Sequence, residues 1–186
     1  MLPLSAARRE APYHVLFLCT GNSARSILAE SLLRALAGDR FVAHSAGSRP
    51  AGRVHPRVLA YLDAHGMATS GLRSKGWDEF AAPGAPPLDF VFTVCDNAAH
   101  EVCPVWPGQP MTAHWGIHDP AAVEGTDDEK LRAFNRAFRE LDARLKLFTS
   151  LRLEMLDRMA LKRQLDAIGE SLAAGLSATP SGGGGA

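Results

Sequence analysis

The chain is organised around one stretch, Val15-Leu16-Phe17-Leu18-Cys19-Thr20-Gly21-Asn22-Ser23-Ala24-Arg25-Ser26. Its apolar first half is typical of a buried strand, which ends at a cysteine and is followed by small and polar residues, an arginine and a helical pattern. Where a strand leads directly into a helix, unpaired backbone N–H groups and the helix dipole converge at the helix N-terminus and favour an anion. The stretch therefore predicts an anion-binding loop between a buried strand and a helix.

Two side chains give this loop its chemistry. Arg25 offers a planar set of donors that matches a tetrahedral oxyanion. The same positive field favours the thiolate form of Cys19, so the sequence predicts a nucleophile whose pKa is lowered. The alternative is a buried cysteine that ends a strand beside a surface arginine. The predicted oxyanion-binding residues are Thr20, Gly21, Asn22, Ser23, Ala24, Arg25 and Ser26.

Length and composition limit the class of protein. A chain of 186 residues is expected to form one domain with a sizeable core. Its 20 basic and 20 acidic residues balance, which argues against binding to nucleic acid or to a membrane surface. No apolar run approaches the roughly 20 residues needed to cross a bilayer, and residues 2–5 are too short and polar for a signal peptide. We therefore expect a cytoplasmic protein whose three cysteines serve chemistry rather than structure.

The hydrophobic pattern alternates between strands and helices along the chain. Strands are predicted at residues 13–18, 41–45, 89–94 and 111–114. Helices are predicted at residues 25–37 and 55–64, and a long helix is predicted to begin at Thr126. Residues 69–80 are predicted to form a loop or a short helix. The inward positions of that long helix are Leu131, Phe134, Phe138, Leu141, Leu145 and Phe148. The alternation predicts an α/β fold with a single four-stranded parallel sheet flanked by helices.

The two ends of the chain are expected to differ from this central domain, which spans residues 13–148. Residues 1–12 lack periodicity and are expected to form a flexible leader. Residues 149–174 are expected to form an appended C-terminal helix, because an apolar helical pattern runs from Leu151 to Leu172. Residues 175–186 contain a glycine run and are expected to be disordered.

Three candidate catalytic residues follow the ends of predicted strands. Cys19 follows the first strand, Cys95 the third and Asp119 the fourth. Ligands of a parallel α/β sheet bind beyond the carboxyl ends of its strands. We therefore expect these three side chains to lie in one site.

A stretch rich in cysteine and histidine leaves a metal-binding module as an alternative from another class of protein. Its residues are Cys95, His100, Cys103, His114 and His118. The stretch lacks a C-x2-C pair, and the alternative leaves residues 19–25 without a role. A nucleotide-binding P-loop is excluded, because no Gly-Lys-Ser or Gly-Lys-Thr follows the anion-binding loop.

The loop of residues 19–26 resembles the phosphate-binding loop of the low-molecular-weight protein tyrosine phosphatase superfamily. A C-x5-R pattern alone is moderately specific, and the late Asp-Pro makes the match strong. The resemblance extends from about Tyr13 to Phe148 and is carried in order by Ser45-Ala46-Gly47, His55-Pro56, Asp89 with its strand, and Asp119-Pro120.

Within that superfamily the chain is similar to the arsenate reductases. The residues that carry this similarity are Thr93-Val94-Cys95-Asp96-Asn97-Ala98-Ala99, Cys103-Pro104, His114-Trp115-Gly116 and Asp119-Pro120. The tyrosine phosphatase branch usually has aromatic residues after the Asp-Pro, where this chain has Ala121-Ala122. A phosphatase acting on tyrosine or another phosphomonoester remains the alternative, and it would need Cys19, Arg25 and Asp119 but neither Cys95 nor Cys103.

The resemblance implies reduction of arsenate to arsenite for arsenic detoxification. In that mechanism Arg25 and the loop bind arsenate, the Cys19 thiolate attacks arsenic, and Asp119 acts as general acid. Cys95 then attacks Cys19, and Cys103 attacks Cys95, so that the disulfide moves outward to an external reductant. Phosphate is expected to compete with arsenate, because the two anions are nearly isosteric.

The resemblance also implies roles for three further residues and an external partner. Asn22 and Ser26 would support the loop and the Cys19 thiolate. Lys75 stands where some potassium-binding members carry an acidic residue, so we expect its ammonium to replace the metal ion and expect no bound metal or cofactor. Seven residues separate Cys95 from Cys103, one more than in thioredoxin-coupled members. The reductant, thioredoxin or glutathione with glutaredoxin, therefore stays open.

Overall fold

The computed structural model describes residues 9–171. It contains four parallel strands in the spatial order β2-β1-β3-β4, with β1 at Tyr13–Cys19, β2 at Phe41–Gly47, β3 at Phe90–Thr93 and β4 at Met111–His114. Each neighbouring pair is parallel, so the carboxyl ends of the strands lie along one edge of the sheet. The predicted four-stranded parallel sheet flanked by helices is confirmed. Four strand ends differ from the prediction by one or two residues: β1 continues to Cys19, β2 continues to Gly47, and β3 is one residue shorter at each end.

Helices connect the strands and continue past the last one. They are α1 at Arg25–Ala37, α2 at Pro56–Ala64, α3 at Asp78–Ala81, α4 at Asp96–Ala99, α5 at Asp127–Ser150 and α6 at Arg158–Glu170. Short 3-10 turns occupy Pro120–Ala122 and Leu153–Met155. Among residues 9–171, no helix is long and apolar enough to span a membrane.

The sheet separates two apolar clusters, because successive side chains of a strand point to opposite faces. The larger cluster contains Val15 and Phe17 of β1 and is covered by α1, α5 and α6. The smaller cluster, which we call the second cluster, consists of Leu16, Leu18, Ala46, Phe80, Leu88, Val91 and Trp106. Both faces of the central strand are therefore buried, as its continuous apolar sequence predicts.

Helix α5 confirms the predicted start and corrects one inward position. Thr126 caps it with a capping box, in which Thr126 Oγ1 accepts from the Glu129 amide at 3.2 Å and Glu129 Oε2 accepts from the Thr126 amide at 2.7 Å. Leu131 was expected to face inward but is 50% exposed. None of residues 127–133 is buried, so the first turns of α5 project beyond the core. Of the other expected positions, Phe138 is half-buried and the rest are buried: Phe134, Leu141, Leu145 and Phe148.

The C-terminal region is helical but is not one continuous helix. A 3-10 turn at Leu153–Met155 precedes α6, and Asp157 caps α6 by accepting from the Ala160 amide at 2.8 Å. This cap explains the break, because a capping residue has non-helical backbone angles. Leu172 and the predicted tail of residues 175–186 lie outside the described residues.

The end of the expected leader contacts the domain. Arg9 forms an ion pair with Asp89 at 2.5 Å and lies over the ring of Tyr13 at 4.6 Å. These contacts fix residue 9 next to β1 and β3. Residues 1–8 lie outside the described part of the chain, and the predicted flexibility of the leader stays a prediction.

Candidate active site

The loop of residues 19–26, which we call the anion loop, connects β1 to α1 and surrounds the sulfur of Cys19. The Asn22 amide donates to Cys19 Sγ at 3.2 Å, and the hydroxyl of Ser26 lies 3.0 Å from the same sulfur. Asn22 has a φ of 42°, a left-handed conformation that asparagine tolerates better than most residues. Its Nδ2 donates to Ser26 Oγ at 2.9 Å, so Asn22 and Ser26 together orient groups toward the nucleophile.

Backbone amides outside the anion loop hold three of its carbonyl oxygens. The amides of Arg49, Ala51 and His55 donate to the carbonyls of Thr20, Gly21 and Ser23 at 2.9, 2.8 and 2.9 Å respectively. In a planar trans peptide the N–H of the following residue points away from the carbonyl. The amides of residues 21, 22 and 24 are therefore turned to the opposite side, toward the inside of the loop. Sequence reasoning missed Arg49, Ala51 and His55 as supports, because they act through backbone groups that every non-proline residue carries.

A second support comes from the carboxyl end of β2. Asn22 Oδ1 accepts from the amide of Lys75 at 2.8 Å, and the carbonyl of Lys75 accepts from the amide of Gly47 at 2.9 Å. A Cβ at Gly47 would lie 2.5 Å from the carbonyl oxygen of Thr20 and 2.9 Å from the amide nitrogen of Asn22. Only glycine fits there, because the backbone of the anion loop passes directly over it.

The pKa of Cys19 departs from the expectation. The sequence predicts a lowered pKa, but the side chain is only 3% exposed, and burial raises the pKa of the thiol. Hydrogen bonds from Ser26 and from the Asn22 amide lower the pKa without cancelling the effect of burial. The prediction of a lowered pKa is therefore wrong, since the sequence does not reveal how completely the sulfur is enclosed.

Asp119 and Arg25 meet at the rim of the anion loop. Arg25 donates from Nη2 to Asp119 Oδ2 at 3.1 Å and from Nη1 to the carbonyl of Ile117 at 3.3 Å. The other carboxylate oxygen, Asp119 Oδ1, accepts from the amide of Ala121 at 3.0 Å and caps the 3-10 turn. Both side chains keep part of their surface exposed, 17% for Arg25 and 35% for Asp119. A solvent-accessible carboxylate thus faces the loop that surrounds Cys19.

Cys95 lies on the other side of the anion loop, after β3. It is 1% exposed, and its Sγ lies 3.7 Å from Thr20 Oγ1. The same sulfur accepts from the amide of Ala98 at 3.4 Å, so Cys95 is the N-cap of the short helix α4. The structure therefore brings together Cys19, Arg25, Cys95 and Asp119 at the carboxyl edge of the sheet, where the strand ends predict them.

Cys103 is placed differently from the other two cysteines. It packs against the second cluster with Trp77 and Ala81, whereas Cys19 and Cys95 belong to the larger cluster on the opposite face of the sheet. All three cysteines are free thiols. Burial, and secondarily the charge of Glu101, raise the pKa of Cys103. The structure does not bring Cys103 into the site formed by the other candidates.

A buried charged pair lies behind the anion loop. Lys75 Nζ lies 3.9 Å from Glu30 Oε2, and both side chains are less than 10% exposed. Lys75 also donates to the carbonyl of Arg73 at 3.3 Å, while Glu30 accepts from Ser45 Oγ and from Arg34 at 2.5 Å each. Burial lowers the pKa of Lys75, and the carboxylate of Glu30 opposes that shift. The side chain of Lys75 thus faces the buried side chain of Glu30, while the backbone amide of the same residue holds Asn22.

The cysteine- and histidine-rich stretch does not form a ligand cluster. His114 Nδ1 lies 2.8 Å from Thr93 Oγ1, and His114 Nε2 lies 3.0 Å from Asp96 Oδ1. In the part of the chain from residue 9 to 171, no three His, Cys, Asp or Glu side chains come together as they would to hold a metal ion. The geometry gives the metal-binding alternative no support.

Comparisons with known proteins agree with this geometry. A family model for low molecular weight phosphotyrosine protein phosphatases matches residues 14–180. An arsenate reductase of Halalkalibacterium halodurans is 39% identical over 134 residues, which cover 72% of this chain and 93% of that protein. A thioredoxin-dependent arsenate reductase of Corynebacterium glutamicum has a similar structure, with 28% identity and a TM-score of 0.58, over 80% of this chain and 66% of that one. An arsenate reductase solved in a phosphate-binding state gives 26% identity and a TM-score of 0.56, over 72% of this chain and 94% of that one.

Proposed function

The chain belongs to the low molecular weight phosphotyrosine protein phosphatase family, on its arsenate reductase branch, and we propose that it reduces arsenate to arsenite. The observation that carries the proposal is the buried thiol of Cys95, whose Sγ lies 3.7 Å from Thr20 Oγ1 at the edge of the anion loop. Phosphate ester hydrolysis needs a nucleophile, an arginine and an acid, and it gives a second thiol no role. Reduction of arsenic needs a second thiol beside the first.

In the first step, the amides of the anion loop and Arg25 bind arsenate. The thiolate of Cys19 attacks arsenic, and Asp119 donates a proton to the departing oxygen, which leaves as water. The contact between Arg25 Nη2 and Asp119 Oδ2, at 3.1 Å, supports this assignment because it keeps the acid at the rim of the loop. The product is a covalent bond between Cys19 Sγ and arsenic(V).

In the second step, the thiolate of Cys95 attacks Cys19 Sγ. The sulfur–arsenic bond breaks and its electron pair passes to arsenic, which is reduced from As(V) to As(III) and leaves as arsenite. The two sulfurs lose two electrons together and form a Cys19–Cys95 disulfide. Support comes from the burial of both sulfurs in the larger cluster, and from the contact of Cys95 Sγ with Thr20, the residue that follows Cys19, at 3.7 Å.

In the third step, Cys103 attacks Cys95 and forms a Cys95–Cys103 disulfide, which releases Cys19 as a thiolate. Because Cys103 packs on the opposite face of the sheet, the segment between the two cysteines has to rearrange. The two Cα atoms must come within roughly 7 Å of each other for this disulfide to form. An external thiol reductant, thioredoxin or glutathione with glutaredoxin, then restores the two thiols and is itself oxidised.

The proposal includes the setting in which this chemistry works. The resting enzyme requires three reduced thiols, which a reducing cytoplasm provides. Reduction of arsenate there would serve arsenic detoxification. We further infer that the ammonium of Lys75 takes the place of a metal ion behind the anion loop, since it faces the buried carboxylate of Glu30 at 3.9 Å.

The test supplies purified protein with arsenate and either a thioredoxin system or glutathione with glutaredoxin, and measures arsenite. We expect arsenite with at least one of the two systems, and competitive inhibition by phosphate. The Cys95→Ser variant is expected to form no arsenite while it retains any hydrolysis of an aryl phosphate. A wild-type protein that hydrolyses the aryl phosphate and yields no arsenite with either system would be a phosphatase, and the proposal would be wrong.

A further inference from the structure

The C-terminal helix α6 touches the chain just before Asp119. Gly169 of α6 lies so close to β4 that a Cβ there would overlap the carbonyl oxygen of His114 and lie 2.9 Å from Trp115 Cδ1. The indole of Trp115 is fully buried, and its Nε1 donates to the carbonyl of Leu165, also in α6, at 2.9 Å. Residues 114–115 and α6 are therefore in direct backbone contact, which is a more specific arrangement than apolar packing.

Arg144 of α5 connects the same elements through its guanidinium group. Its Nη1 donates to the carbonyls of Trp115 at 2.8 Å and Gly116 at 3.1 Å, and its Nη2 donates to the carbonyl of Gly169 at 3.1 Å. The residue is 2% exposed, and among residues 9–171 no carboxylate lies within ion-pair distance of it. A buried guanidinium held only by carbonyl oxygens is costly, and it fixes the positions of the carbonyls that it joins.

The residues held in this way lead directly into the active site. The amide of Ile117 donates to the carbonyl of Val94 at 3.1 Å, and the carbonyl of Ile117 accepts from Arg25. Asp119 follows two residues later and accepts from Arg25 as well. A displacement of residues 115–116 would therefore move the acid and its arginine partner, whereas the amides of the anion loop are held by other elements.

We propose that α6 is a positioning element for Asp119, acting through Gly169, Trp115 and Arg144. Helix α6 lies beyond residues 13–148, which carry the sequence motifs of the arsenate reductases, but within residues 14–180, which the family model matches. The inference rests on the proposed function insofar as Asp119 is the general acid. Its structural part, that α6 holds residues 115–117 in place, is independent of the reaction.

The experiment compares Gly169→Ala with Ala167→Gly in the full-length protein. The first change inserts a methyl group against the backbone of His114 while it favours the helix. The control weakens the same helix at an exposed position. Arg144→Lys is a second test variant, because it keeps the charge but cannot reproduce the planar set of donors that joins three carbonyls.

Two measurements distinguish a role of α6 in positioning Asp119 from a contribution to the stability of the protein alone. Amide hydrogen exchange at Ile117 reports whether its hydrogen bond to Val94 loosens. The arsenate reduction assay, with the affinity for inorganic phosphate measured alongside, reports whether kcat falls while oxyanion binding holds. For Gly169→Ala and Arg144→Lys we expect faster exchange at Ile117, a kcat lowered about tenfold or more, and little change in phosphate affinity. The Ala167→Gly control should change neither exchange at Ile117 nor kcat.

A double variant tests whether the effect passes through the acid. In an Asp119→Asn background, Gly169→Ala should lower kcat no further, because the group that it displaces has already been removed. Unchanged exchange at Ile117 in both test variants, or full additivity with Asp119→Asn, would overturn the inference. Failure of the proposed function would instead be visible in the wild-type protein, which would then form no arsenite.

Discussion

The anion loop and the segment of residues 96–110 carry the two halves of the proposed chemistry, and the protein holds them in opposite ways. Asn22 and Ser26 of the anion loop are fully buried, and three of the loop carbonyls accept hydrogen bonds from backbone amides of residues 49, 51 and 55. In the segment of residues 96–110, Val102 and Val105 are more than 90% exposed, and Trp106 is the member of the segment that belongs to the second cluster.

This difference corresponds to what each region would have to do. Oxyanion binding gains from donors that are fixed before the ligand arrives, because no free energy is then lost in ordering them. A disulfide relay needs a cysteine that changes partners, and segments with few buried apolar contacts open at the lowest cost in free energy. The arrangement therefore suits a rigid site around Cys19, the first thiol of the proposed relay, and a movable segment around Cys103, the last.

The largest expected effect is on arsenate reduction, and it differs between Cys19 of the anion loop and Cys103 of residues 96–110. Cys19→Ser should abolish arsenate reduction entirely, because the nucleophile is lost from a loop that has no substitute for it. Cys103→Ser, the matched control from the other region, should still release one equivalent of arsenite and then stop as a Cys19–Cys95 disulfide. Peptide mapping after one turnover without reductant distinguishes these outcomes.

The same mapping tests whether residues 96–103 rearrange. The wild type should carry Cys95–Cys103 and a free Cys19 after one turnover. If the stable wild-type product is Cys19–Cys95, residues 96–103 do not rearrange as proposed and Cys103 has no part in the relay. Direct reduction by glutathione would then become the simpler scheme.

The next effect concerns the acid at the rim. Asp119→Asn should lower the rate of the first chemical step by about 10²- to 10⁴-fold, the usual contribution of a general acid. Phosphate affinity should change little, because the loop amides and Arg25 remain. Rapid-quench kinetics with arsenate measures the step, and isothermal titration with phosphate measures binding.

A surface carboxylate serves as the control for that experiment. Asp127 also pairs with an arginine, Arg57, at 2.7 Å, but it lies at the exposed start of α5. Asp127→Asn should leave both the rate and the affinity unchanged. If Asp119→Asn instead abolishes phosphate binding and leaves the rate per bound anion intact, Asp119 is a structural partner of Arg25 and not the acid.

A smaller effect tests how rigid the anion loop has to be. Gly47→Ala forces a methyl group against the carbonyl of Thr20 and the amide of Asn22, both of which belong to the loop backbone. We expect phosphate to bind about tenfold more weakly, since losing one well-placed hydrogen bond to a charged ligand costs about 1.5–3 kcal/mol and partial displacement costs less. Isothermal titration with phosphate measures the change.

Gly76 provides the matched control, because it is the bridge partner of Gly47 and has room for a side chain. A Cβ at Gly76 would approach nothing closer than Pro50 Cγ at 3.9 Å. Gly76→Ala should therefore bind phosphate as the wild type does. Equal affinities for both variants would mean that the loop adapts, and the contrast with residues 96–110 would be lost.

Much of this architecture could be predicted because it depends on local sequence. The apolar strand before Cys19, the helix after Arg25 and the Asp-Pro after the fourth strand are local patterns, and parallel strands bring their carboxyl ends to one edge. The break before α6 also has a local signal, because aspartate is a common N-cap residue and Asp157 caps α6. The prediction of one helix over residues 149–174 follows the apolar pattern alone and does not use that signal.

The remainder depends on the path of the chain in three dimensions. Cys103 follows Cys95 closely in sequence, yet α4 and residues 100–102 take it to the other face of the sheet. The contacts of Arg144 with three carbonyls could not be predicted, because they depend on where α5, β4 and α6 meet. The raised pKa of Cys19 reflects the depth of burial, to which all the surrounding elements contribute.

The last predicted effect is confined to part of the pH range and concerns the pH dependence of the first step. Burial raises the pKa of Cys19, and the hydrogen bond from Ser26, with an Oγ–Sγ distance of 3.0 Å, acts against burial by stabilising the thiolate. Ser26→Ala should therefore raise the pKa further and move the rate–pH profile to higher pH. A hydrogen bond to an ionised group is worth about 1.5 kcal/mol at the low end, which corresponds to about one pKa unit.

The sign of this shift can be checked at both ends of the profile. Below the pKa of Cys19, the thiolate fraction falls tenfold for each unit by which the pKa rises, so Ser26→Ala should be slower by about tenfold there. Above the pKa both proteins are thiolates, and their rates should converge. Ser31→Ala is the control, because Ser31 is a buried serine of the same helix whose hydroxyl donates to the carbonyl of Ile27 at 2.9 Å. A parallel loss of rate at every pH in Ser26→Ala would mean that Ser26 shapes the loop without tuning the thiol, and the pKa of Cys19 would then depend on burial and the Asn22 amide.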